Sequence, residues 1–239
     1  MNSIPLYLGQ QHHCDYLPGN LAQSAFVQPG IQLSTPAYSQ LVAQGFRRSG
    51  ELVYRPHCQV CSACIPIRIP CQTFKPSRIQ RRILKKNADL SVTAQPPEWN
   101  NAHFNLYKRY LDSRHSDGSM ANASKEDYLR FLTNRWGDIC FYEFRRGSSI
   151  VAIAVVDRLD TALSAVYTFF DPQLADRSLG VYAVLWQIQH ALELQLTHLY
   201  LGYWIRDCQK MSYKDNYRPL ELFINASWRR FEKHEKIGG

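Results

Sequence analysis

The stretch from residue 199 to 219 carries residue types that could bind an anionic, partly apolar ligand. It starts as an apolar strand and continues into a segment with cations and aromatic rings, which are Lys210, Lys214, Arg218, Tyr203, Tyr213 and Tyr217. Ligands of open α/β sheets gather beyond the carboxyl ends of strands, and cations among aromatic rings suit such a ligand. A surface segment whose lysine and tyrosine tips stay in water has the same pattern, so both interpretations remain open here.

A second concentration of cations lies earlier in the chain. The net charge is +8, and residues 1–90 hold ten lysines and arginines against three acids, whereas residues 91–239 hold eighteen against seventeen. Residues 75–86 contain no acid and six cations, which are Lys75, Arg78, Arg81, Arg82, Lys85 and Lys86. Nucleic-acid phosphates would supply the complementary charge, although a solvated helix face is the commoner meaning of a lone charge run.

Four of the seven cysteines have a spacing that could serve a metal site. Cys58, Cys61 and Cys64 follow one another at intervals of three, and Cys14 lies upstream. Four thiolates could hold zinc or an iron–sulfur cluster, and small buried apolar side chains are the structural alternative. An odd number of cysteines argues against a disulfide scaffold and predicts reduced thiols in a cytoplasm.

Length and hydropathy agree with a cytoplasmic protein that has no membrane partner. The 239 residues suffice for two modest domains. No run approaches the roughly 20 apolar residues that span a bilayer. The first residues lack the basic and then apolar pattern of a signal peptide.

Apolar periodicity and turn residues predict an α/β (α+β) chain with two domains. Residues 1–90 are expected to form a small, basic, cysteine-containing domain, with a helix that starts at Pro36 and is capped by Thr35. Residues 91–239 are expected to form a second domain with a mixed sheet. The other elements predicted before that sheet are a strand–turn–strand unit over 46–54, a strand over 65–71, and helices at 77–87, at 97–113 and from Ser124.

The second domain has the element order of a GNAT-like acyltransferase. Three antiparallel strands, a helix and a strand parallel to the third are predicted at 140–144, 150–158, 162–170, 178–194 and 196–205. In that fold the two parallel strands diverge, which would bring Tyr167, Tyr203 and the helix start at Ser178 to one cleft. The glycine-rich pyrophosphate loop of acetyl-coenzyme A users is missing, because residues 176–180 have a single glycine.

Several longer strings identify a family. They include residues 14–18, 54–58, 64–68, 74–82, 114–118, 165–172, 177–180 and 199–219. In these strings the chain resembles the bacterial aspartate/glutamate leucyltransferases, relatives of the eukaryotic arginyl-tRNA–protein transferases, over nearly its whole length. The resemblance implies transfer of leucine from leucyl-tRNA to the α-amine of proteins that begin with Asp or Glu, which marks them for degradation. The basic first third would then face tRNA.

The implied chemistry is aminolysis of an ester, which requires no cofactor and no ATP. An α-amine has a pKa near ~8, so positioning and oxyanion stabilisation should carry most of the rate. Tyr167 or Tyr203 could donate a proton or a hydrogen bond, although packing in the sheet is an equal alternative for each. His115 and Asp117 could form an acid–base pair or simply turn the chain.

Carboxylate recognition and metal binding complete the expectations. A fixed cation should recognise the acceptor carboxylate, and Arg114 and Arg218 are the candidates because arginine binds carboxylates with a planar fork. The substrate contacts predicted beside them are Ser178, Lys210, Tyr213 and Lys214. The eukaryotic relatives bind a metal or cluster through paired cysteines, but Leu17 replaces one cysteine of that pattern here.

Two functions of other classes remain as alternatives at this point. One is a non-catalytic zinc and nucleic-acid-binding module, which the cysteines and the basic run favour and the second domain does not. The other is an acetyl-coenzyme A N-acetyltransferase, which the missing pyrophosphate loop opposes.

Overall fold

A computed structural model describes residues 4–114 and 123–238. Its strands form an eight-stranded sheet, a four-stranded sheet and a two-stranded ribbon. In these two ranges no helix has the length and apolar character needed to cross a membrane.

The first part of the chain contains more strands than predicted. Its elements in chain order are β1 (Leu6–Leu8), β2 (His12–His13), β3 (Leu21–Ala22), β4 (Ser24–Val27), α1 (Thr35–Ala43), β5 (Arg47–Ser49), β6 (Leu52–Pro56), β7 (Ile65–Pro70), α2 (Arg78–Lys86) and β8 (Ser91–Gln95). The four-stranded sheet has the order β1-β4-β6-β5. Strands β1 to β4 were not predicted, since they are two to four residues long and lie among turns.

The second part follows the predicted order closely. Its elements are α3 (Asn101–Arg114), α4 (Lys125–Leu132), β9 (Ile139–Arg146), β10 (Ser149–Arg158), β11 (Ala162–Phe170), α5 (Leu179–Glu193), β12 (His198–Trp204), α6 (Gln209–Ser212), β13 (Leu220–Ile224) and β14 (Ser227–Phe231). The antiparallel meander and the parallel pairing of β11 with β12 are confirmed. The assignment to the GNAT-like fold stays a prediction.

The helix starts explain why these segments are helical. The Ser124 hydroxyl accepts from Asp127 N and the Asp127 carboxylate accepts from Ser124 N, so the predicted capping box of α4 is present. Ser34, not the predicted Thr35, caps α1 through a hydrogen bond from Ala37 N. Both residues can act as caps, and the hydrogen-bond geometry selects the one that lies two residues before Pro36.

The large sheet joins the two predicted domains. Its order is β14-β13-β7-β12-β11-β10-β9-β8, so β7 from the first part lies between β13 and β12 of the second part. Helix α5 packs on the sheet through Leu179, Leu185 and Ile188, which belong to the main core. A division at residue 90 stays a prediction, and the two parts share one sheet across it.

The parallel pair at the centre of this sheet opens after three residue pairs. Strands β11 and β12 are paired from Ala162 and His198 to Ser164 and Tyr200. Beyond that point β11 keeps its pairing with β10, while β12 keeps its pairing with β7. The side of β11 that faces β12 therefore has backbone groups without a strand partner.

A buried ion pair fixes the first part onto the meander. The Arg48 guanidinium donates to both carboxylate oxygens of Asp157 at 2.6 to 2.9 Å, and the Tyr38 hydroxyl donates to the same carboxylate at 2.8 Å. The Arg48 and Asp157 side chains are 0% and 2% exposed. This network attaches β5 and α1 to β10.

Replacement of Asp157 by alanine should destabilise the protein strongly. The change leaves the Arg48 charge buried without its partner, which typically costs about 3–5 kcal/mol of unfolding free energy. Chemical denaturation should show this loss. Asp138→Ala is the matched control, because Asp138 pairs with Arg158 at about half exposure and its loss should cost less than about 1 kcal/mol. Equal losses for both variants would contradict an anchoring role for the buried pair.

Candidate functional site

The gap between β11 and β12 is occupied by a guanidinium. Arg47 extends from β5 into it, and its Nη2 donates to the carbonyl oxygens of Ala165 and Val166 at 3.0 Å each. These are the first carbonyls of β11 after its pairing with β12 ends. Buried carbonyls need hydrogen-bond donors, so Arg47 replaces the missing strand at this position.

The opposite strand is shaped to admit this side chain. Gly202 of β12 has φ +75° and lies in an irregularity of the β12–β7 pairing. A Cβ atom at this position would lie 1.6 Å from Arg47 Nη1. Only glycine allows both the left-handed backbone and the close approach.

Part of the Arg47 fork makes no hydrogen bond to the described residues. Its two hydrogen bonds both use Nη2. Among residues 4–114 and 123–238, the Nε and Nη1 atoms have no hydrogen-bond partner, and no carboxylate forms an ion pair with the guanidinium. The side chain is half-buried, so the charge is held rigidly but is not sealed off. An accessible, fixed guanidinium in a cleft suits a carboxylate or a developing oxyanion.

Lys214 lies beside this group. It is 6% exposed, and its Nζ donates to the Tyr203 carbonyl oxygen at 2.5 Å and to Met211 Sδ at 3.0 Å. Burial, and then the positive charge of Arg47, lower the pKa of Lys214 to about 7. The site thus combines a permanent cation with an amine that releases its proton near neutral pH.

The two tyrosines predicted as catalytic residues differ in their surroundings. The Tyr203 hydroxyl donates to the Gly45 carbonyl oxygen at 2.9 Å, and burial raises its pKa well above the usual value. The Tyr167 hydroxyl is buried without a hydrogen-bond partner in the part of the chain that the structure describes. The Tyr167 ring packs against Tyr107 and Phe131, and burial raises its pKa too. Both rings serve packing, and a catalytic role for either stays a prediction.

The other predicted contacts in the 199–219 segment separate into exposed and structural groups. Lys210 and Tyr213 are exposed. All three guanidinium nitrogens of Arg218 donate hydrogen bonds, and their acceptors belong to Asp215, Glu232 and Glu235. Arg218 therefore ties the C-terminal segment to the site and has its donors engaged within the chain.

The remaining predicted site residues lie at the ends of helices or outside the described residues. Ser178 precedes α5 with φ +52° and makes no side-chain cap, so its hydroxyl does not satisfy the helix start. Arg114 is the last residue of α3, and its side chain is not described. His115 and Asp117 lie outside the described residues, and the acid–base role predicted for them stays a prediction.

The basic run forms the exposed face of α2. Arg78, Arg82 and Lys85 are exposed, as are the other cations of the run, Lys75, Arg81 and Lys86. Lys86 pairs with Asp176 at 2.8 Å, and Arg81 donates to the Pro76 carbonyl oxygen. A capping box of Ser77 and Gln80 starts the helix.

The basic helix is attached directly to the 199–219 segment. Gln80 is 5% exposed, and its Nε2 donates to the Asn216 carbonyl oxygen at 3.1 Å. The Phe74 ring lies 6.4 Å from the Tyr217 ring, between centroids. The cationic surface therefore borders the site that contains Lys214.

The described residues give no support for a metal site at the four N-terminal cysteines. In the described residues no group of three or more His, Cys, Asp and Glu side chains has the arrangement to hold a metal. The Cys58 thiol accepts a hydrogen bond from Gln23 N and donates one to the Gln23 carbonyl oxygen. Burial, and then the neighbouring thiols of Cys14, Cys58 and Cys61, raise the pKa of Cys64 to about 12, so this thiol is protonated. The suggestion of zinc or an iron–sulfur cluster is not supported.

Arg47 is the group that sequence reasoning missed. It stands in a short strand–turn–strand unit beside Arg48. Adjacent residues of a strand point to opposite faces, so the pair had to serve two different surroundings. That alternation is the only sequence signal for the role of Arg47. Nothing in the local sequence indicates that the Arg47 side chain enters a gap beside Ala165, which lies more than 110 residues further along the chain.

Comparison with family models places the chain in a known family. The family model described as arginine-tRNA-protein transferase, N terminus, matches residues 12–82, and the corresponding C-terminus model matches residues 102–224. The chain therefore belongs to the arginine-tRNA-protein transferase family. The predicted family resemblance is confirmed.

The similar curated proteins carry a more particular name. The chain is 49% identical over 229 residues to an aspartate/glutamate leucyltransferase of Alcanivorax borkumensis. The matched region covers 96% of this chain and 95% of the relative. It is 49% identical over 225 residues to the protein of that name from Pseudomonas aeruginosa, covering 94% and 96% of the two chains. The solved structure of FemX has a TM-score of 0.47 at 9% identity over 87% of this chain and 82% of its own, which is too distant to bear on function.

Lys214 should give the stability of the protein a specific pH dependence. Its folded pKa lies below its unfolded pKa, so the unfolded chain binds more protons between these values and stability rises with pH there. The penalty for burying the charge is complete below pH 7 and disappears above the unfolded pKa. The charged or titratable groups that act on Lys214 are Arg47, Cys64 and Cys208.

The unfolding free energy of the wild type minus that of Lys214→Met should therefore increase from pH 7 to pH 9. The slope should reach at most about 1.4 kcal/mol per pH unit. Denaturant titrations at several pH values measure it. Lys210→Met, which removes an exposed lysine of the same segment, should show no such slope. A flat difference for Lys214→Met would mean that this amine is not buried as described.

Proposed function

We propose that this protein transfers leucine from leucyl-tRNA to the α-amine of proteins that begin with Asp or Glu. The observation that carries the proposal is the 49% identity, over nearly the whole chain, to relatives named aspartate/glutamate leucyltransferase. The guanidinium of Arg47, held in the central gap of the sheet and paired with no carboxylate of the described residues, supports it independently, because an acidic acceptor needs a fixed cation.

The reaction breaks one bond and forms one. The neutral α-amine nitrogen of the acceptor attacks the ester carbonyl carbon, and the C–O bond to the ribose of tRNA breaks as the amide bond forms. The amine loses one proton and the ribose oxygen gains one, so no redox partner and no ATP are required. An α-amine is partly neutral at pH 7, so positioning contributes more than a strong base.

Arg47 is the residue that recognises the acceptor carboxylate. Arg218, which the sequence suggested for this role, has its nitrogens engaged with Asp215, Glu232 and Glu235. Lys214 is a poor fixed cation, since its pKa of about 7 leaves much of it neutral. Arg47 carries a guanidinium charge, and its Nε and Nη1 have no hydrogen-bond partner among the described residues.

The donor tRNA lies against α2 in this proposal. The exposed cations of α2 would bind phosphates, and the contact from Gln80 to Asn216 makes that surface continuous with the segment that contains Lys214. Lys210 and Tyr213, exposed on the same segment, would then contact the ribose or the last phosphates.

The proposed compartment is the cytoplasm. All seven cysteines are free thiols, three of them buried and four half-buried. Secreted proteins of this size commonly oxidise such thiols, whereas the cytoplasm keeps them reduced.

The function is tested with purified protein, labelled leucyl-tRNA and short peptides, without ATP. Peptides beginning with Asp or Glu should gain leucine, and otherwise identical peptides beginning with Asn or Ala should gain far less. Acetyl transfer from acetyl-coenzyme A without leucyl transfer would refute the proposal.

Arg47→Ala should reduce the preference for Asp over Asn at the first position of the peptide. Removal of a charge-assisted hydrogen bond costs about 1.5–3 kcal/mol, which is more than about tenfold in kcat/KM for the Asp peptide. The Asn peptide should be affected less. Arg130→Ala, which removes an exposed arginine from α4, is the control and should preserve the ratio. Equal reductions for both peptides would assign Arg47 a role other than carboxylate recognition.

A variant in which cations of α2 are replaced by neutral residues should bind tRNA more weakly than the wild type. Replacing Arg78, Arg82 and Lys85 with glutamine should lower the affinity and reduce the slope of log K against log salt by about one for each phosphate that is no longer bound. The control is Lys125→Gln with Arg130→Gln on α4. Unchanged affinity and slope in the triple variant would show that the basic face is only solvated.

A further inference from the structure

A cavity of about 580 Å³ opens beside the gap that Arg47 occupies. Its walls come from β3, β4 and β6 and from the loops that carry the N-terminal cysteines, and Tyr203 of β12 also lines it. Small-molecule sites commonly have volumes of about 300–1,000 Å³. The cavity is therefore large enough for a ligand with two groups, such as a side chain and a base.

The walls of the cavity have no permanent positive charge. Among the described residues that line it there is no lysine or arginine, and Asp15 is one of them. A carboxylate or a phosphate would lie there without a permanent cation and near a negative charge. The cavity thus disfavours the acidic end of the acceptor and the phosphates of tRNA.

The same walls suit a neutral ligand that has apolar parts. Phe26, Tyr54 and Tyr203 contribute rings, and Leu52 and Leu21 contribute aliphatic groups near the rim. Burial raises the pKa of the Cys64 thiol and of the Tyr16 hydroxyl to about 12 each, so these two groups remain uncharged. An aliphatic side chain and an aromatic base would both be stabilised by such contacts.

Tyr203 connects this cavity with the reaction site. Its ring lines the cavity, and its hydroxyl is directed to the Gly45 carbonyl oxygen. Its own carbonyl oxygen accepts from Lys214, and the preceding residue, Gly202, packs on Arg47. A ligand that touches the Tyr203 ring would thus contact the residue next to Gly202, which itself contacts the Arg47 guanidinium.

We propose that this cavity binds the 3′-terminal leucyl-adenosine of the donor, with the leucine side chain and the adenine ring on its apolar walls. The inference rests on the proposed function and goes further, because it assigns the two substrates to two places. The cavity takes the neutral end of the donor, and Arg47 takes the acidic end of the acceptor. The ester would then lie between them, at the wall formed by Gly202 and Tyr203.

The test uses two variants that fill the cavity from different sides. Ala22→Trp adds a large ring to its wall, and Leu52→Trp does so at a side chain that is 44% exposed, where the fold tolerates the change. Ala94→Trp, on the exposed edge strand β8, adds the same ring outside the cavity and is the matched control. The probe is 3′-leucylamido-3′-deoxyadenosine, in which an amide replaces the reactive ester.

Calorimetry should show binding of this probe to the wild type and to Ala94→Trp. Binding to both cavity variants should be weaker by about tenfold or more, the scale on which an apolar pocket discriminates a misfitting group. The KM for leucyl-tRNA should rise by a similar factor, and the KM for the Asp peptide should stay within about twofold.

Two results would overturn the assignment. A rise in the KM for the peptide, with the KM for leucyl-tRNA unchanged, would give the cavity to the acceptor. Unchanged values for both substrates and for the probe would remove the cavity from the reaction. Failure of the proposed function is distinct from either, since it would appear as absence of leucyl transfer by the wild type.

Discussion

The site depends on one constraint of the backbone, which is that carbonyl groups inside a protein must be paired. Strands β11 and β12 part after Ser164 and Tyr200, which leaves the carbonyls of Ala165 and Val166 without a partner on β12. The Arg47 guanidinium supplies the donors. A charge that would otherwise be costly inside a sheet is thus held there by the hydrogen bonds that the sheet requires.

Two neighbouring arginines make this arrangement rigid. Arg48 points to the opposite face of β5 and forms a buried ion pair with Asp157 of β10, so the strand that carries Arg47 cannot slide relative to the meander. Gly202 completes the arrangement from the other side, since any larger residue would collide with Arg47. One unit is therefore formed by the separated strands β11 and β12, by the anchored strand β5 and by Gly202. Burial, and then the charge of Arg47 in this unit, lower the pKa of Lys214 to about 7.

The sequence predicted those features that local patterns encode. The bounds of β11 agree with its apolar run over 162–170, and the capping box at Ser124 marks the start of α4 as expected. The parallel β12 followed from the helix that precedes it. The insertion of β7 between β13 and β12 was not predictable, because its partners lie more than 100 residues away and nothing local encodes such pairing. Arg218 looked free because two of its acceptors, the carbonyl oxygens of Glu232 and Glu235, lie in the C-terminal segment, and only Asp215 is local.

We propose that Arg47 recognises the acidic first residue of the acceptor. The most direct measurement is a structure of the protein with a peptide that begins with Asp, in the absence of the donor. The side-chain carboxylate should lie within about 3 Å of Nε or Nη1 of Arg47, with the α-amine directed toward Tyr203. A carboxylate bound elsewhere, against Lys210 or inside the cavity that Tyr54 lines, would contradict the account.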